Sequence, residues 1–500
     1  MNIQQFLEHH GIARNPFAEE DAQTDPVFKE HCIASTYHPT WAKVFGDPSE
    51  PSTAVVFGEK GSGKTAMRLQ IARHLEQYNA QHPDRRQFII HYDDFNPFLD
   101  RFHAFLGQRK RADRVLSEWK LWDHMDAILS VGVTGLVDRI LGVRQPSPSV
   151  DAEIRQDDIA ALDRHQARDL LLLALCYDQS TAETFKGRWH KLRRKLRFWT
   201  IAAHWPMALG VLVTVAIAAL AITLIANDAT DWLRPIWLYL LLVAAGWCPW
   251  LWKCFKSFRL ARRIVRHVRV GNHEVNPLRS ALMNLTSGEI ASQPLPTQDR
   301  TDDRFEQLAK LQGLLNSLGF QGIIVLMDRI DEPHLINGSA ELMKLLVWPM
   351  LDNKFLKHPG LGLKLMLPIE LTRYVDKEDR EFYQRARLDK QNMISSFEWT
   401  GEALYDVASA RLQACAIEGN TPTLRDLFDE SVSDDRLVQS LRSLRVPRHL
   451  FKFLYRLLVD HCNSYTDRAP QWRIPAATYE RSLAVYLRDQ DALDRNMGVV

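Results

Sequence analysis

Two long apolar stretches, at 201–226 and 236–252, interrupt this chain near its middle. Before them lies a short apolar run, Ala54-Val55-Val56-Phe57, that opens into Gly58-Glu59-Lys60-Gly61-Ser62-Gly63-Lys64-Thr65. After them comes a second run, Ile323-Ile324-Val325-Leu326-Met327, that ends in Asp328. A fold has to join these two segments and still keep the apolar pair away from water. That requirement points to one domain built from two distant halves, with an insertion between them.

The chain has 500 residues, which suggests about three structural units at roughly 150 residues each. Its apolar content of 46% and charged content of 25% are those of a folded protein, so a large core can be buried. A net charge of +2 argues against a polyanion binder by composition alone. The six cysteines form no C-x-x-C pair and no zinc spacing, so free thiols in a reducing compartment are expected. The polar stretch Met1–Glu20 lacks the apolar centre of a signal peptide.

Alternation of strand and helix dominates the first hundred residues. Ala54–Phe57 reads as a buried strand, Ala66–Tyr78 as a helix, and Gln87–Tyr92 as a second strand ending in Asp93-Asp94. Such alternation predicts a parallel sheet with helices on both faces. From 101 to 200 the pattern is helical, broken by a linker at Gln145-Pro146-Ser147-Pro148-Ser149. Residues 151–197 read as one or two long helices. Helical pattern resumes at 253–320, with a break at Pro294-Leu295-Pro296. Strand signals return at 323–327 and 361–367, and the pattern beyond 400 is helical to the end.

The segment Gly58–Thr65 meets the pattern G-x-x-x-x-G-K-[ST] in full, after a strand and before a helix. Phosphates need many backbone N–H groups at close range, and Gly61 and Gly63 let the backbone approach without a side chain in the way. The helix dipole at Lys64 favours negative charge there. The pattern predicts that Gly58, Glu59, Lys60, Gly61, Ser62 and Gly63 cradle the phosphates of ATP. Lys64 would reach the β and γ phosphates, and Thr65 would ligate Mg²⁺. Asp328, at the end of an apolar strand, is the expected second Mg²⁺ ligand, through water. The position after it is Arg329, where many ATPases carry a water-activating Glu. The base is therefore expected at Asp331 or Glu332. The alternative is that these two acids cap the following helix.

Each apolar stretch approaches or reaches the length that crosses a ~30 Å hydrocarbon core, and Trp237, Trp247, Trp250 and Trp252 suit an interfacial belt. The competing reading is a hairpin buried in a protein core. Seven Lys and Arg residues from Lys186 to Arg197 precede the pair, and seven from Lys253 to Arg269 come after it. The connecting turn carries Asp228, Asp231 and Arg234. This asymmetry predicts a multi-pass protein of the inner, cytoplasmic membrane, with both termini and the nucleotide domain in the cytoplasm. The basic tracts suit anionic lipid headgroups, and nucleic acid stays open as an alternative partner.

A nucleotide loop and an acidic strand separated by membrane helices resemble the KAP family of P-loop NTPases. Gly58–Thr65, the two apolar stretches and Ile323–Asp331 carry the resemblance. That family's acidic motif runs in the manner D-D-x-D, whereas this chain has Asp328-Arg329-Ile330-Asp331. The tail resembles the lid of AAA+-like and STAND ATPases. There Arg445-Val446-Pro447-Arg448 is similar to the segment whose arginine senses the γ-phosphate, which makes Arg448 the carried-over candidate. Arg385 and Arg387 are candidate fingers toward a neighbouring subunit, the alternative being plain surface arginines. The resemblance implies a role in bacterial defence or another stress response.

These readings combine into one expectation. Residues 1–100 and 321–398 form the two halves of an α/β P-loop NTPase domain with a parallel sheet. Between them lie a helical insertion at 101–200, a transmembrane hairpin at 201–252 and a helical return segment at 253–320. A helical lid at 399–500 completes the chain. The expected activity is ATP hydrolysis that drives or gates a conformational change, in a homo-oligomer or with a partner protein. The alternatives are a nucleotide-controlled signalling switch with little turnover and a DNA-handling AAA+ ATPase.

Overall fold

A computed structural model describes residues 1–34, 36–143, 154–181, 183–227, 235–291 and 293–497. The linker Gln145–Ser149 and the turn with Asp228, Asp231 and Arg234 lie outside the described residues. Five strands make one sheet: β1 (Ala54–Gly58), β2 (Arg86–Tyr92), β3 (Phe320–Met327), β4 (Leu361–Pro368) and β5 (Asn392–Ile394). Their order is β2-β3-β4-β1-β5. β1 runs parallel to β4, with Gly58 opposite Pro368, and parallel to β5, with Val56 opposite Ile394. β3 runs parallel to β4, with Met327 opposite Leu365. All of β1 and β4 is buried, as expected of parallel strands covered on both faces.

The α/β expectation with a parallel sheet is met. β5 carries no signal of its own in the sequence, because three residues are too few to show a period. β4 includes a buried lysine, Lys364, whose Nζ donates to the carbonyls of Val44 and Phe45 at 2.7 and 3.0 Å. Those carbonyls close the helix Trp41–Phe45, so a charged group that burial disfavours is tied to a helix end that needs donors.

The chain divides into two compact units. The first is Met1–His82, His91–Asp94 and Ile323–Val500; the second is Pro83–Ile90 and Phe95–Gly322. Within the first, the helices Gly401–Ala414, Asp434–Ser443, Pro447–Ser464 and Ala476–Met497 form a bundle. Its core also takes in Phe6, Leu7, Ile12, Phe17 and Phe28. His9 stacks on Trp472 with ring centroids 4.3 Å apart, and the Met1 ammonium donates to the Tyr465 carbonyl. The first thirty residues thus share a core with the C-terminal helices, although they lead into the strand β1.

In the second unit, the described residues of 151–197 hold three shorter helices where one or two long ones were expected: Gln156–Ala160, Arg164–Tyr177 and Phe185–Lys195. Asp163 and Thr184 accept hydrogen bonds from the amides of Gln166 and Gly187, so each begins a new helix. Buried ion pairs hold this unit together. Arg304 grips both oxygens of Asp126, and Arg188 bridges Asp178 and Asp138.

The helices Trp205–Ala226 and Ile236–His267 are long and apolar enough to cross a membrane. Only 6% of the most apolar window of either helix is buried, which argues against a hairpin hidden in a protein core. They pack closely against each other. The ring of Trp247 covers Gly210, and Val213 covers Gly246. Trp247 Nε1 donates to Thr214 Oγ1 at 3.0 Å. The second helix continues past 252, so its basic tract stands on the same rod as its apolar half. Part of the basic charge is structural: Arg188 is buried in ion pairs, Lys253 donates to the carbonyls of Ala203 and Met283, and Arg269 pairs with Asp123. Lys256, Arg259, Arg262, Arg263 and Arg266 remain exposed.

A Cβ at Gly210 would stand 2.8 Å from the Trp247 ring, so Gly210→Leu must part the two helices. Overpacking of this kind costs about 1–3 kcal/mol. The purified variant in detergent should therefore melt below the parent, and Ala219→Leu, on an exposed position of the same helix, should not. Equal melting of parent and Gly210→Leu would show that this contact does not hold the pair.

Candidate functional site

The loop Gly58–Thr65 joins β1 to the helix Lys64–Gln81. Its conformation depends on two glycines in the left-handed region, Gly61 at φ 85° and Gly63 at φ 95°. Gly63 is the N-cap of the helix, and no side chain caps this end. The first amides of the helix therefore keep their donors for an acceptor from outside the helix. Gly58 is equally constrained, since a Cβ there would meet Ser62 Oγ at 2.6 Å. Lys64 Nζ donates to the carbonyls of Gly58 and Glu59 at 2.7 and 2.8 Å, curling back over the loop. Lys60 lies on the cavity wall.

Asp328 comes directly after β3 and meets the loop. Thr65 Oγ1 donates to Asp328 Oδ2 at 2.8 Å. Arg68, one turn along the same helix, places Nε 3.3 Å from Asp328 Oδ2 and Nη1 2.6 Å from Asp93 Oδ2. Asp328 is 2% exposed, and burial pushes its carboxyl above the usual range, against the pull of Arg68 and Thr65. Burial also lowers the Lys64 ammonium, while Asp328, Asp331 and Glu370 hold it up. Opposite charges thus gather where a carboxylate and an ammonium are both costly alone.

The remaining candidates separate. Arg329 adopts a left-handed backbone, φ 60°, immediately after Asp328. Its guanidinium reaches Glu332 at 3.4 Å and Asp21 at 3.9 Å. Glu332 is therefore drawn toward Arg329, and burial raises its carboxyl. Asp331 lines the cavity, and its carbonyl accepts from the Gly338 amide. Neither acid caps the next helix: Ala340–Val347 begins at Ser339, whose hydroxyl accepts from the Leu342 amide. Arg448 stands in the first turn of Pro447–Ser464, and its amide donates to the Gly61 carbonyl at 3.3 Å. Its Nε lies 3.8 Å from Glu20, which also pairs with Lys452 at 3.2 Å. Arg385 lies over the Phe382 ring and Arg387 donates to the Gln384 carbonyl; neither lines the cavity.

The loop, Asp328, Asp331 and Arg448 line one cavity of about 300 Å³, a size that suits a small-molecule ligand. Its walls add residues that sequence reasoning missed. Trp399 Nε1 donates to the Ser62 carbonyl at 2.7 Å and pins the loop. His38 stacks on Phe397, and burial pushes its imidazole down to about 4, so it is neutral at pH 7. Glu370, after β4, lines it too, whereas Arg68 stands off the wall and reaches Asp328 from the helix after the loop. Arg68 had a readable signal, three residues after Thr65 on one helix face.

Among the described residues, no group of three or more His, Cys, Asp or Glu side chains can hold a metal ion unaided. The donors beside the loop are one hydroxyl and one carboxylate. Mg²⁺ takes such a set when water and phosphate oxygens complete its shell, so Thr65 and Asp328 fit Mg²⁺ in the company of phosphate. No protein-family model, no curated protein and no solved structure matches this chain.

Removing Arg68 would leave the buried Asp328 carboxylate without its guanidinium. Arg68→Met should then cost about 3–5 kcal/mol in urea unfolding, as expected when one partner of a buried pair is lost. A loss below about 1 kcal/mol, the range of exposed pairs, would contradict this account of the site.

Proposed function

We propose that this chain is a membrane-anchored P-loop NTPase that binds Mg·ATP and hydrolyses it to gate a conformational change. One observation carries the reading: the Thr65 hydroxyl and the Asp328 carboxylate meet at 2.8 Å, beside an uncapped, glycine-rich helix start. Chemistry of this kind suits a polyphosphate with a divalent cation. Backbone amides and Lys64 would bind the phosphates, and Thr65 and Asp328 would hold Mg²⁺, which neutralises charge developing on the phosphates. Arg448, beside Gly61, would bind the terminal phosphate from the lid.

The apolar helix pair supports anchoring in a bilayer, with exposed Lys256 to Arg266 at the level of anionic headgroups. The basic flanks suit a cytoplasmic nucleotide domain. The likeness to the KAP family favours a defence or stress role and a homo-oligomer or partner protein as the responding element. Arg329, standing where an acid is usual and holding Glu332, favours a second reading: a nucleotide-controlled switch with slow turnover.

The reading is tested on the full chain in detergent. Lys64→Ala should abolish Mg·ATP binding, and Asp328→Asn should weaken both binding and hydrolysis, with folding retained by circular dichroism. Unchanged affinity in folded Lys64→Ala would reject the nucleotide site. Separately, the protein should stay in the membrane pellet through alkaline carbonate, and its release would reject the anchor.

A further inference from the structure

We propose that Glu370 is the base that accepts the proton from the water attacking the terminal phosphate. The inference rests on the nucleotide reading above and deepens it. The sheet order sets β4 between β1 and β3. In a parallel sheet the chain leaves neighbouring strands on the same side, so the turn after β4 opens into the crevice between the loop and Asp328. The register fixes the place. Pro368 lies opposite Gly58, the first residue of the loop, and Glu370 comes two residues later in the tight turn Ile369–Leu371. Leu365 lies opposite Met327, so Asp328 is level with Met366 and Glu370 stands farther out, past the Mg²⁺ ligand.

The Glu370 carboxylate lines the same cavity as Lys64 and Asp328 and is exposed to water. It and Asp331 both hold up the Lys64 ammonium, Asp331 the more strongly, so both lie within electrostatic reach of that group. Among the described residues no ion pair engages it. Glu332, by contrast, is held by Arg329. Asp331 shares the cavity wall and is the rival. Arg329 has a left-handed backbone directly after Asp328, and Asp331 follows on that same turn. Glu370 follows the strand that lies between the loop and Asp328, whereas Asp331 follows the strand that carries Asp328 itself.

In the step, the water oxygen bonds to the γ-phosphorus and the bond to the β,γ-bridging oxygen breaks. That electron pair leaves with ADP. One water proton passes to the Glu370 carboxylate and then to solvent, so the products are ADP, inorganic phosphate and one proton.

The test compares Glu370→Gln, Glu370→Asp, Asp331→Asn and Lys64→Ala in the full chain in detergent. Mg·ATP affinity, single-turnover hydrolysis and melting temperature are measured for each. General-base catalysis contributes about 10²–10⁴-fold, so Glu370→Gln should hydrolyse at least about 100-fold more slowly. Its affinity and melting temperature should match the parent, and Glu370→Asp should recover part of the rate. A turn-stabilising role alone would lower melting and not spare binding. Parental turnover in Glu370→Gln, or loss of turnover in Asp331→Asn alone, would overturn the assignment to Glu370. A parent that binds Mg·ATP no better than Lys64→Ala would overturn the nucleotide reading itself, and this assignment with it.

Discussion

The buried carboxylate of Asp328 is the point on which the rest of the site depends. Taking that charge out of water is expensive, and its partners offset the cost: the Arg68 guanidinium at 3.3 Å and the Thr65 hydroxyl at 2.8 Å. Both partners stand on the helix that the glycine-rich loop opens. The same two contacts therefore seat the helix against β3 and hold the loop at the end of β1. Asp93 shares Arg68 and ties the end of β2 into the arrangement. A local sequence pattern becomes a site only because a residue far along the chain completes its electrostatics.

The C-terminal helices, the proposed lid, meet the same loop from the other side. Arg448 and Trp399 both reach its backbone carbonyls, at Gly61 and Ser62. A Cβ at Gly61 would strike Arg448 Cβ at 2.6 Å, so loop and lid are fitted to each other. Glu20 sits on Arg448 and Lys452, and its segment packs into the lid's own core. Movement of the lid would change the charge around Arg448 and the shape of the loop together. That coupling supports the proposal that a nucleotide in the cavity gates the position of these helices.

Legibility tracked the range of the interactions. Gly58–Thr65 is a local pattern whose glycines are required by backbone angles, and it could be read directly. β1, β3 and β4 could be read because strands covered on both faces are continuous apolar runs. The apolar helix pair was legible for the same reason. β5 was too short, and the three helices within 151–197 are set by caps at Asp163 and Thr184 rather than by periodicity. The packing of residues 1–33 against the C-terminal helices is long-range and leaves no mark in either segment alone. Arg68 and Glu370 were missed because a charged residue on a helix or after a strand usually faces water. The helix spacing from Thr65 hints at Arg68, but its partner Asp328, and the place of Glu370 on the cavity wall, come from strands far along the chain.

The most direct measurement is the relative affinity of the purified full-length protein for AMP, ADP and ATP with Mg²⁺, by calorimetric titration. A loop that grips phosphates through backbone amides and Lys64 gains about 1.5–3 kcal/mol for each charge-assisted hydrogen bond. Tenfold in affinity corresponds to about 1.4 kcal/mol. The account predicts ATP and ADP binding at least about tenfold tighter than AMP, with the ATP advantage reduced when Mg²⁺ is chelated. Equal affinity for all three, or no binding of any, would contradict it.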